Sequence, residues 1–133
     1  MKLIKKIFLV FVILIILFTA LIFMEMSKVA NNINKTLDAI NYLEINKVED
    51  GIYFGEKDTP LVKVSVKVSV INHTLESIEI IRHENGIGKK AENIVNDMLE
   101  HNKIDVDDVA GASLSSKVIK VAVNNALSQG LIK

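Results

Sequence analysis

Asp107, Ala110, Gly111, Ala112 and Ser113 lie together in the run VDDVAGASLSSKVIK, where two acids lead into four small residues and then into an apolar helical pattern. The first N–H groups of a helix are unpaired, and its dipole favours an anion there. Small residues let that anion approach the backbone, and Ser113 adds an alcohol at the same point. A phosphate with a hydroxyl beside it is the chemistry this spacing suggests. A plainer reading stands next to it: Ser113 caps the helix, Gly111 serves a turn, and Asp105, Asp107 and Asp108 are either a solvated acidic loop or first-turn acids that suit the dipole.

Other reactive groups are sparse. The chain of 133 residues has no cysteine, which excludes disulfides, thiolate catalysis, Cys-ligated zinc and iron–sulfur clusters. His73, His83 and His101 fall in a turn, at a strand end and at a helix end, too scattered for a ligand set, so no metal site is expected. No P-loop, GxGxxG or Ser-His-Asp set is evident. The formal net charge is zero, which gives no electrostatic case for nucleic acid.

The elements that must position these residues follow from periodicity. Residues 7–24 are apolar except for Thr19, and as a helix they would span roughly 27 Å at about 1.5 Å per residue, close to a bilayer core. Lys2, Lys5 and Lys6 precede them and argue for a cytoplasmic N-terminus, residues 1–6 forming a basic tip. No small-x-small cleavage site follows, so an uncleaved anchor is expected. Residues 25–47 read as a juxtamembrane helix, with Met26, Val29, Ala30, Ile33, Leu37 and Ile40 at three- and four-residue steps. Asp50, Gly51 and Gly55 mark a boundary, and residues 48–133 form the folded domain.

Within that domain GIYFG is a short strand, and Val62, Val64, Val66, Val68 and Val70 alternate with Lys63, Ser65, Lys67 and Ser69. Asn72, His73 and Thr74 form a three-residue loop that pairs Val68 with Ile78, Val66 with Ile80, Lys67 with Glu79 and Ser69 with Ser77. That register keeps one face apolar and matches opposite charges. Ala91, Ile94, Val95, Met98 and Leu99 give one amphipathic helix. A second, Ser115 to Ser128, is apolar on most sides and should be the buried one, with Lys120 on its more polar side and tolerant of Asp. The fold class expected is α+β: a small antiparallel sheet packed with two helices, preceded by an N-terminal transmembrane helix.

The segment Asp107-x-x-Ala110-Gly111-Ala112-Ser113 resembles the covalent flavin-attachment motif Asp-x-x-[Ser/Thr]-Gly-Ala-Thr of FMN-binding domains, as in the C subunit of the sodium-pumping NADH:quinone oxidoreductase and the G subunit of the Rnf complex. The start at Asp50-Gly51-Ile52-Tyr53-Phe54-Gly55, the valine-rich strand, the return strand to His83-Glu84 and the Gly86-x-Gly88 turn fall in family order. The resemblance implies FMN joined by a flavin transferase, with FAD and a divalent metal, through a phosphoester to Ser113, with Asp107 as the motif acid and Gly111 and Ala112 as its Gly-Ala. It further implies electron transfer between a donor and an acceptor outside the membrane; an FMN-dependent reductase is a further alternative, though no residue stands out as a substrate acid or base. Ala110 in place of a hydroxyl residue, Ser113 in place of Thr, and Glu84-Asn85-Gly86 in place of the family's Glu-Thr-Pro-Gly depart from the pattern. They leave open a flavin-free domain of this fold acting as a membrane-tethered adaptor or regulator.

Overall fold

A computed structural model describes residues 1–132 and divides into two compact units, Met1–Ile33 and a second from Asn34 onward. The helix α1, Lys2–Asp38, begins in the first unit and ends in the second. Its apolar stretch has a mean hydropathy of 3.3 and none of it is buried, so it is long and apolar enough to cross a membrane. Residues 7–24, Thr19 apart, carry apolar side chains that are almost all exposed, as a lipid-facing helix would require.

The second unit is α+β. Three strands, β1 (Gly51–Asp58), β2 (Lys63–Ile71) and β3 (Thr74–Glu84), form an antiparallel sheet in the order β1-β2-β3. Two helices follow, α2 (Ile94–His101) and α3 (Ser113–Leu127). Val64, Val66, Val68 and Val70 point one way from β2 and are fully buried, while Lys63 and Lys67 point the other way. Each such valine contributes roughly 1.5–3 kcal/mol by leaving water. α3 covers β1 and β2 on this face, and α2 packs against β3. Gly55 is where α3 comes closest: a Cβ there would collide with the Ala122 carbonyl and with Ala126. On the outer edge of β1, Gln129 Nε2 and Asn125 Nδ2 donate to the carbonyls of Phe54 and Glu56 at 2.6 and 2.9 Å. An edge occupied in this way is closed to another strand.

The hairpin pairs Val68 with Ile78, Val66 with Ile80, Lys67 with Glu79 and Ser69 with Ser77, as the charges imply. Its turn differs from the expected three-residue loop. Asn72 and His73 alone form it, both with positive φ, and Ile71 pairs with Thr74. A register shift between Ser69 and Val70 leaves Glu76 as an extra residue on β3, and that bulge restores the apolar pairing that a two-residue loop would otherwise have slipped. Asp50 holds the turn: its carboxylate accepts from the N–H groups of Asn72 and His73 at 2.8 and 2.9 Å.

Two helix expectations need correction. The amphipathic stretch after Gly88 starts as a 3-10 segment, Lys89–Asn93, and becomes α-helical only at Ile94. More consequentially, Lys120 is buried rather than on a polar side. Ten of the fifteen residues of α3 are buried, so the helix has almost no wet face to place a lysine on. The chain before β1 takes part as well: Leu37, Ile45 and Val48 are core residues, Lys117 pairs with Asp38 at 2.7 Å, and Leu43 N–H donates to Asn124 Oδ1 at 2.9 Å.

Candidate functional site

The loop from Asn102 to Ala112 carries the acidic and small residues into α3. It is not slack. Ile104 and Val106 are buried, and α3 grips the backbone between them and Ser113 with two side chains one turn apart. Ser116 Oγ accepts from Val109 N–H at 3.0 Å and donates to the Ala112 carbonyl at 3.0 Å. Lys120 Nζ donates to the Val106 carbonyl at 3.1 Å and lies 2.8 Å from Asp108 Oδ1 and 5.5 Å from the centre of the Tyr42 ring. Tyr42 itself is pushed up to about 12 by burial, reinforced by the negative charges of Asp108, Asp105 and Asp38.

Between these anchors the backbone turns. Ala112 N–H donates to the Val109 carbonyl at 2.9 Å, and Gly111, the third residue of that turn, has φ +75°. A positive φ at this position is the type II requirement that glycine meets without strain. A charged side chain reaches the same point. The ammonium of Lys90 lies 2.8 Å from where a Cβ on residue 111 would stand.

Ala110, Gly111 and Ser113 are exposed, whereas Ala112 is buried. α3 begins at Ser113, with Ala112 as the residue before it and no side-chain cap, so Ser113 does not act as a cap. The three serines of the first turn have different surroundings. Ser116 holds the loop, and Ser115 is buried against His83, its Oγ 3.2 Å from Nε2. Among the described residues Ser113 Oγ has no partner and faces water. Asp107 also faces water. It lines a shallow pocket with Asp97, His101, Lys103 and Asp105 and makes no hydrogen bond to the rest of the run.

Sequence inspection missed a second arrangement. His83 Nδ1 lies 3.0 Å from Glu92 Oε1, and Glu92 also meets Lys89 at 2.9 Å, so Ser115, His83, Glu92 and Lys89 form a chain across three elements. Burial pushes the Glu92 carboxyl up, but hydrogen bonds from Lys89 and His83 outweigh it and leave the group below its ordinary value. Thirty-two residues separate His83 from Ser115, and no local spacing announces their meeting. With His83 and Ser115 buried and Gly88 pressed on Ser115 Oγ, the chain fastens the 3-10 segment to the start of α3 and offers no room for a substrate.

A groove of about 390 Å³ lined by Phe54, Glu56, Ile81, Asn125 and Gln129 lies towards the other end of α3, roughly 18 Å along the helix from Ser113 to Asn125, and is not part of the motif region. Residues 61–128, from the start of β2 through α3, match the model of the FMN-binding domain family. The chain belongs to that family. No curated protein matches it.

As an FMN-binding domain the structure can be tested against its cofactor. A phosphate needs a small approach, a helix N-terminus and a compensating charge. Gly111 supplies a position without a Cβ, α3 starts at Ser113 two residues on, and Lys90 stands beside Gly111. The residues present fit the group. The match begins after β1, so the Asp50 to Gly55 start lies outside it, but its residue types have local reasons: Asp50 holds the hairpin, Gly55 admits α3, and Tyr53 packs against Gly51 and Gly130.

Proposed function

We propose that this FMN-binding domain carries its flavin on Ser113, tethered by α1 to a membrane with the folded unit outside the cytoplasm, and passes electrons between a donor and an acceptor there. The observation that carries the reading is the contrast among the three serines: only the Ser113 hydroxyl is exposed and without an internal partner. Attachment is a transfer from FAD. Ser113 Oγ attacks the phosphorus on the FMN side, the phosphoanhydride bond breaks, AMP leaves with its electron pair, and the serine proton passes to solvent. The product is a phosphodiester with one negative charge, placed where the α3 dipole favours it. Once bound, the isoalloxazine supplies one- or two-electron transfer. Lys2, Lys5 and Lys6 before the apolar run of α1 support the orientation.

The test is co-expression of the full chain with a flavin transferase, followed by in-gel fluorescence and mass spectrometry of the peptide containing residues 107–117. The expected result is an increment of FMN less one water on Ser113, lost in Ser113→Ala. Protease added to intact cells should remove the folded unit, and a protected unit would refute the orientation. If wild type stays unmodified while an Asp-x-x-Ser-Gly-Ala-Thr control domain is modified, the flavin-free adaptor replaces this reading.

A further inference from the structure

We infer that Lys90 is the side chain that receives the flavin phosphate, its ammonium facing the phosphodiester across Gly111; this rests on the reading that Ser113 carries FMN. Three observations converge on it. First, Lys90 Nζ stands 2.8 Å from the missing Cβ of Gly111, two residues before Ser113. Second, among the described residues Lys90 has no hydrogen bond or ion pair, whereas its neighbour Lys89 is paired with Glu92. Third, the backbone that presents Lys90 is fixed. Gly88 presses on Ser115, His83 joins Ser115 to Glu92, and the 3-10 segment Lys89–Asn93 packs on α3.

An ammonium beside the start of a helix is electrostatically uncompensated, because both present positive charge to the same space. Asp108, next to the motif acid, is turned to Lys120. One monoanion on Ser113 Oγ would offset most of the positive charge that the ammonium and the helix end present together. Glycine at 111 is required by the positive φ, and its missing Cβ leaves the Lys90 ammonium the space it now fills.

Lys90 is exposed, so its contribution is moderate and screened by salt. The experiment compares single-turnover attachment of FMN, at limiting FAD, in wild type, Lys90→Met, Lys90→Arg and Lys57→Met. A second readout is the rate at which an amine-reactive reagent labels Lys90 in the flavin-loaded chain and in Ser113→Ala. Expected are a roughly three- to tenfold slower attachment in Lys90→Met, which corresponds to loss of a charge-assisted contact, near-wild-type rates in Lys90→Arg and Lys57→Met, and labelling of Lys90 slowed severalfold by the flavin while Lys57 is unaffected. Wild-type attachment in Lys90→Met together with equal labelling in loaded and unloaded chains overturns the assignment with Ser113 intact. An unmodified Ser113 in wild type overturns the attachment site itself, and the role of Lys90 with it.

Discussion

Lys120 carries a charge into the interior of the folded unit, and three neighbours make its place tolerable: the Asp108 carboxylate, the Val106 carbonyl and the face of Tyr42. Its stem is buried, while its head ties the loop that leads to Ser113. Substituting Asp reverses the sign beside the half-buried Asp108 and leaves two neighbouring carboxylates without a cation, one of them buried, a fault worth about 3–5 kcal/mol where a small domain has about 5–15 in all. Lys120→Asp is therefore expected to unfold the unit or lower its urea midpoint severely, while Lys120→Met, which keeps the stem, costs less. Equal midpoints for wild type and Lys120→Asp in urea titrations followed by circular dichroism would mean that the ion pair holds nothing. Helical spacing told polar from apolar along α3 but could not name a partner. That is why Lys120 read as surface, and why the Ser115-His83-Glu92 chain was invisible while Gly111 and Ser113, contiguous in sequence, were not.

Among the elements, the β2–β3 hairpin shows how a register can be legible when its turn is not. Lys67 opposite Glu79 and the valine row constrain the pairing from both faces, so the alternation sufficed. A bulge residue such as Glu76 leaves no mark in the alternation itself, since either count of loop residues fits a polar turn. The turn has a partner outside the hairpin, Asp50 at the foot of β1, and this gives the sheet a measurable acid dependence. Hydrogen bonds from the His73 and Asn72 N–H groups hold the Asp50 carboxyl below its ordinary value of 3.8. A carboxylate whose pKa is lower in the folded than in the unfolded state adds stability above its unfolded value, and that stability disappears as pH falls through the folded one. The part of the gap in stability between wild type and Asp50→Ala that depends on the Asp50 charge should thus be present above about pH 5 and narrow steadily below about pH 4. Glu92, also held low, is present in both chains and cancels from the comparison. Thermal midpoints that stay equally separated down to pH 3 would show that the charge of Asp50 does not contribute, leaving only its geometry.

On the scale of the whole molecule, the question is where the anchor ends and the folded unit begins. Composition puts a mark near residue 48, where glycines and acids interrupt the apolar stripe, yet the packing of the segment before it is extensive. Leu37, Ile45 and Val48 are at most 3% exposed, Asp38 meets Lys117, Tyr42 lies over Lys120, and Leu43 is bonded to Asn124, so three α3 positions about a turn apart hold this strap. The C-terminal end closes over it: Glu49 N–H donates to the Gly130 carbonyl at 2.7 Å, and Ile132 N–H to the Lys47 carbonyl at 2.9 Å. Loss of one buried leucine or isoleucine to a cavity costs about 2–5 kcal/mol, and removing residues 34–47 would take two such side chains together with a half-buried tyrosine over Lys120. Since about 5–15 kcal/mol is all that a domain of this size has, the cut decides whether it folds. A chain beginning at Asn34 is expected to be water-soluble and to unfold cooperatively, and one beginning at Val48 to be largely unfolded or to aggregate at the same concentration. Circular dichroism and amide exchange of the two fragments distinguish the outcomes. Equal protection of the α3 amides in both would mean that the strap is a spacer lying on a domain complete without it, while loss of protection in the shorter chain alone ties the segment next to the anchor to the helix that presents Ser113.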